Sequence, residues 1–141
     1  MKNYELIEHT ADIGIRVKGR ELKELFKNAA QAMFDIIAEK KSQATSHKSQ
    51  ATRIMVKQKA DSLEELFINW LNELLSLSAT KELIFSDFQI NKLDKNTLQA
   101  VAIGEDIKNY KVNTEIKAAT YHELKIEREE SGWLAEIIFD V

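Results

Sequence analysis

The chain has 141 residues and carries 20 basic against 23 acidic side chains, a formal net charge of −3. It contains no cysteine and no proline and only four glycines, so disulfides, thiolate metal sites and Gly-rich phosphate loops are excluded or poorly served. An acidic balance also argues against gripping nucleic acid by bulk electrostatics, which needs a basic surface.

The length suits one domain spanning residues 1–141. No apolar run approaches the roughly 20 residues that cross a bilayer, and Met1–Tyr4 lacks the apolar stretch of a secretory signal. The expectation is a cytoplasmic protein with no membrane partner.

Tyr4–Glu8 alternates weakly, as a short strand does. After His9-Thr10-Ala11-Asp12, the residues Ile13, Ile15 and Val17 fall at period two and predict a half-buried strand. Gly19-Arg20 turns the chain. Leu22, Leu25, Phe26, Ala29, Met33, Phe34 and Ile37 then follow the spacing of an amphipathic helix that stops near Ala38–Glu39. Lys40–Ala51 is polar and reads as an exposed loop; its few lysines make no nucleic-acid tract. Arg53–Lys59 predicts a strand with Ile54 and Val56 inward.

A second helix starts at Asp61-Ser62-Leu63-Glu64-Glu65, where Ser62 and Glu65 match a capping box. Leu63, Leu66, Phe67, Trp70, Leu71, Leu74 and Leu75 form its apolar face. Leu83–Ile90 and Thr97–Ile103 read as a hairpin across a polar turn. Gly104–Lys111 reads as turn, Glu115–Ile126 as a long strand, and Trp133–Val141 as its hairpin partner. The order β-β-α-β-α-β-β-β-β predicts an α+β fold, with two helices packed on a largely antiparallel sheet.

Three polar features interrupt this pattern. Asp12 lies between two strands, where it either hydrogen-bonds a local turn or faces a ligand. Asp140 stands beside Val141, whose α-carboxylate would concentrate negative charge there. Such a pair is either a frayed, solvated end or an oxygen-donor site for a hard cation such as Ca²⁺, Mg²⁺ or Mn²⁺. In Glu115–His122, strict alternation sets Glu115, Lys117 and Ala119 on one face and Ile116, Ala118 and Thr120 on the other. Lys117 and His122 are then either a surface ladder and a structural imidazole, or groups that meet an anion, a metal or a proton.

Together these segments resemble the archease family. The matching residues are His9-Thr10-Ala11-Asp12-Ile13-Gly14, Thr114-Glu115-Ile116-Lys117-Ala118-Ala119-Thr120-Tyr121-His122, Gly132-Trp133 and Phe139-Asp140-Val141. Softer agreement runs through Glu24–Ala30, Asn72–Leu75 and Ile84–Phe88. Many members carry an acidic-and-histidine stretch before the Thr-Glu-x-Lys segment; here Asp106–Lys111 has no histidine.

The resemblance implies a non-catalytic protein of tRNA processing and splicing. Archeases assist the GTP-dependent RNA-splicing ligase that joins 2′,3′-cyclic phosphate and 5′-hydroxyl RNA ends. They promote guanylylation of the ligase's own histidine and its repeated turnover. It further implies a divalent cation on Asp12, Asp140 and Val141, with Lys117, His9 and His122 contacting the ligase or its nucleotide. RNA is then met only through the ligase. The alternative is a general chaperone or modulator of RNA-processing proteins such as an RNA methyltransferase. An independent metal-dependent enzyme is disfavoured, because no nucleophile–base pair stands in the sequence.

Overall fold

The computed structural model describes residues 3–7, 12–41 and 51–141. Among them, strands β1 (Tyr4–Ile7) and β2 (Ile13–Gly19) are followed by helix α1 (Leu22–Ile37) and β3 (Ala38–Lys40). Then come β4 (Thr52–Lys59), helix α2 (Leu63–Lys81), β5 (Leu83–Leu93) and β6 (Thr97–Asp106). A single 3₁₀ turn (Ile107–Asn109) leads to β7 (Tyr110–Val112), β8 (Ala118–Glu129) and β9 (Gly132–Asp140). The α+β class and the antiparallel pairing are as the sequence predicts. The sheet is divided, however: β1-β2-β9-β8 form one, β4-β6-β5 a second, and β3-β7 a two-stranded third.

Each helix forms where its start is chemically marked. In α2, Ser62 Oγ accepts the Glu65 N–H at 3.1 Å, while Glu65 Oε1 reaches the Asp61 N–H at 2.8 Å. The return bond of the capping box therefore lands one residue earlier than the usual pattern. In α1 the capping residue Glu21 makes no side-chain bond; Glu24 instead accepts the Arg20 N–H at 2.8 Å. Both helices pack on both larger sheets. Phe26 and Phe67 meet edge to face at 4.9 Å between them, and the buried Trp70 indole donates to the Phe26 carbonyl at 3.0 Å. Around this junction Phe34, Phe85 and Phe88 complete an aromatic core.

Both expected hairpins form, β5 with β6 and β8 with β9. The second needs Gly132, whose φ of +148° is glycine territory and whose Cβ position would collide with the Gly19 carbonyl. Three expectations need correction. Gly104–Lys111 is not a plain turn: Gly104–Asp106 complete β6, and Tyr110–Val112 pair with Ala38–Lys40. The late strand begins at Ala118 rather than Glu115, because the Asn113 and Thr114 N–H groups bond the Ile37 carbonyl at the end of α1. Strict alternation over Glu115–Thr120 consequently fails, and Ile116 and Ala119 are both buried. Most of the polar Lys40–Ala51 segment lies outside the described residues.

Candidate functional site

The end of one sheet gathers residues from both extremes of the chain. β9 is flanked by β2 on one side and β8 on the other. The β2–β9 register runs from Gly19 opposite Trp133 to Ile13 opposite Phe139. Asp12 lies in the bend directly before Ile13, and Asp140 directly follows Phe139, so both stand just at the end of this ladder. On the other side Ala118 pairs with Asp140, and the Lys117 N–H donates to the Asp140 carbonyl at 2.8 Å. The end of β9 is thus bracketed by Asp12 and by Lys117-Ala118.

Exposure at this end suits a contact surface. Asp12 is half-buried, Lys117 and Asp140 are exposed, and Val141 follows β9 with 38% of its surface accessible. Oxygen is the only donor type that Asp12, Asp140 and an α-carboxylate offer, which suits hard cations over zinc. Among the described residues, no group of three or more His, Asp or Glu side chains could hold a metal.

The other expected contact residues fare differently. His9 lies outside the described residues. His122 is exposed on β8, but within an irregular stretch: between Thr120 opposite Ile138 and Lys125 opposite Glu136, four residues of β8 face one of β9. Glu123 in that bulge has φ +53°. His122 therefore leaves the ladder that carries Lys117 toward Asp140. Tyr121, its neighbour, is 55% exposed, and its hydroxyl is pushed to higher pKa by desolvation and then by the charge of Glu65.

One participant is not marked by helical period. Asn72 of α2 accepts the Ala119 N–H at 2.7 Å and donates to the Ala119 carbonyl at 3.1 Å. In the sequence this bond pair is marked only by an amide within the helix and by the Asn72–Leu75 stretch of the family resemblance.

A cleft of about 650 Å³ opens at the opposite end of the same sheet, beside Arg16, Arg20 and Trp133. Its guanidinium groups are already engaged. Arg16 Nε lies 2.7 Å from Glu136, and Arg20 Nη2 lies 3.1 Å from Glu24; these bonds raise both arginine pKa values further. The three predicted metal-site residues lie at the other end.

Comparison with known proteins matches this chain to one family. The archease protein family model matches residues 4–141. The protein archease of Methanosarcina barkeri is 36% identical, with 99% of this chain and 97% of that protein aligned. The protein archease of Sulfurisphaera tokodaii is 38% identical with both chains fully covered. Among solved structures, protein 1598 of Methanobacterium thermoautotrophicum superposes with a TM-score of 0.74 at 31% identity over the whole of both chains. A Thermotoga maritima structure described as an archease, possible chaperone, shares the fold with a TM-score of 0.68 at 24% identity, covering 96% of this chain and 94% of that one. Matched along nearly its full length by the family model and by relatives, this chain belongs to the archease family.

Proposed function

We propose that this chain is a non-catalytic accessory protein that activates the GTP-dependent RNA-splicing ligase in the cytoplasm. It would promote guanylylation of the ligase's histidine, and so the joining of 2′,3′-cyclic phosphate to 5′-hydroxyl RNA ends. The observation that carries the reading is the convergence of Asp12, Lys117 and Asp140 at one sheet end. Family membership supports it. The net charge of −3 suits docking on a basic RNA-binding enzyme better than on RNA itself.

In this reading Asp12, Asp140 and the α-carboxylate of Val141 hold a divalent cation, Ca²⁺, Mg²⁺ or Mn²⁺. The donor set suits a hard cation: one carboxylate directly precedes β2, one ends the neighbouring β9, and the third donor follows β9 directly. Bound there, the cation offsets the mutual repulsion of the carboxylates and leaves the tip with only a small negative charge. The chain itself does the positioning. β9 is paired on both sides up to its last residues, so Asp140 is presented on a ladder rather than on a loop. Lys117, held through its own N–H, offers an ammonium beside the acidic group for a phosphate or an acidic side chain of the ligase.

The test is guanylylation of the cognate ligase by labelled GTP, with and without this protein and with Asp140→Ala. Stimulation by the wild type and its loss in the variant is the expected result. No stimulation by either protein would overturn the activator reading. It would favour the chaperone role suggested for the Thermotoga maritima relative, for which suppression of aggregation without dependence on Asp140 is the discriminating measurement.

A further inference from the structure

β8 is the outer strand of its sheet, so the backbone groups that face away from β9 have no ladder partner. At Ala119, which is 4% exposed, water does not replace that partner. The Asn72 side chain does. Its amide accepts from the Ala119 N–H and donates to the Ala119 carbonyl, reproducing the bond pair a neighbouring strand would make. Asparagine is a poor residue for a helix interior, yet Asn72 sits in the middle of α2 between the buried Leu71 and Leu74. A local rule is broken at the point where the helix touches the strand that leads to the acidic tip.

We propose that Asn72 is a positioning residue for that tip: it fixes Ala119 so that Lys117 and Ala118 hold the end of β9. The bonds run in series. Asn72 holds Ala119, Ala118 pairs with Asp140, and the Lys117 N–H bonds the Asp140 carbonyl. Between Val112 and Ala118 the chain is not strand, and the next anchors are the bonds of Asn113 and Thr114 to Ile37. Releasing Ala119 therefore frees the one end by which Lys117 is registered against Asp140. Its consequence for cation binding rests on the reading of the tip given above; its consequence for the Lys117–Asp140 bond does not.

The experiment compares Asn72→Ala and Asn72→Asp with Ser78→Ala. Asp at 72 keeps the acceptor for the Ala119 N–H and loses the donor to its carbonyl. Ser78→Ala removes another buried bond of α2, the one its hydroxyl makes to the Leu83 carbonyl, at the far end of the helix. It controls for loss of stability alone. Two quantities are read: amide hydrogen exchange at Lys117 by NMR, and affinity for Mn²⁺ alone by calorimetry. In Asn72→Ala the Lys117 amide should exchange about tenfold faster or more, while Ser78→Ala leaves it near wild type. Mn²⁺ affinity should fall about fivefold in Asn72→Ala and stay constant in Ser78→Ala. Asn72→Asp should lose protection at Lys117 to a smaller extent, and it decides the matter if Asn72→Ala does not fold.

Unchanged Lys117 exchange in the folded Asn72 variants, or an equal change in Ser78→Ala, would overturn the proposal. Absence of Mn²⁺ binding by the wild type would instead overturn the cation reading, and Lys117 exchange would still judge the role of Asn72.

Discussion

Replacing Trp70 by Phe should destabilise the fold by about 2–3 kcal/mol without removing the functional tip. Trp70 is fully buried, its indole N–H donates to the Phe26 carbonyl at 3.0 Å, and its ring meets Phe88 at 5.9 Å. Phenyl in place of indole leaves about 40 Å³ unfilled, which at about 24 cal/mol per Å³ costs about 1 kcal/mol. Lost transfer of the missing ring atoms adds about 0.5–1 kcal/mol. The lost hydrogen bond adds about 1 kcal/mol, at the low end for a buried acceptor because Phe26 lies within α1, where its carbonyl keeps a helical partner. At about 2.1 cal/mol/K per residue, unfolding entropy for a chain of this length is about 0.3 kcal/mol/K, so Tm should fall by about 7–10 °C. The assay is thermal melting followed by circular dichroism. The half-buried Trp133 remains as a fluorophore, so loss of the blue-shifted component should report Trp70 alone. Below the new Tm, stimulation of the ligase should be retained. A melting point within about 3 °C of wild type would refute the packing argument, since neither the cavity nor the bond would then carry its expected share.

Two further outcomes test the frame around the site. Glu82 ends α2 in the left-handed conformation, with φ +54° and an exposed side chain, so Glu82→Gly should raise stability by about 0.5–1 kcal/mol, read as a shift of the urea midpoint at unchanged slope. Asp94 is held below the usual carboxylate range by bonds from the Asn96 and Thr97 N–H groups and the Thr97 hydroxyl. Glu24 is held low by the Arg20 N–H and then by its guanidinium. With folded pKa values below unfolded ones, both contributions are fully present above the unfolded pKa and are lost as pH falls through the folded one. Urea midpoints of wild type and Asp94→Asn should therefore differ at pH 7 and converge on acidification; a gap that persists at low pH would contradict the assignment.

How far the sequence reveals this molecule depends on how local each signal is. α2 is legible because Ser62 and Glu65 mark its start and seven apolar residues repeat at helical period, although the Glu65 bond to Asp61 is visible only in three dimensions. The β3–β7 pair is not legible, since three residues on each strand carry no period and their partners lie about seventy positions apart in sequence. The sequence predicts His122 on a regular strand, but the bulge that displaces it depends on four residues of β8 facing one of β9. The tip shows the same division. Asp12, Lys117 and Asp140 stand out in the sequence as polar breaks in apolar strands, but their meeting depends on register, and register is set by non-local neighbours. The family resemblance, rather than periodicity, is what grouped them.

The order of strands gives the tip an uneven rigidity. Asp140 ends β9 paired with Ala118 of β8, one residue beyond the last β2–β9 pair of Ile13 with Phe139, so moving it means breaking its hold on the β8 side. Asp12 precedes the first paired residue of β2, and Lys117 precedes the first residue of β8. Both flanking groups therefore stand where ladders end, and Lys117 is tied to the strand between them by its N–H bond to the Asp140 carbonyl. In that arrangement the bond from Lys117 to Asp140 and the clamp of Asn72 on Ala119 set how far the β8 side can move. If the proposed docking on the ligase holds, affinity should depend on Asn72 more through residence time than through the rate of encounter.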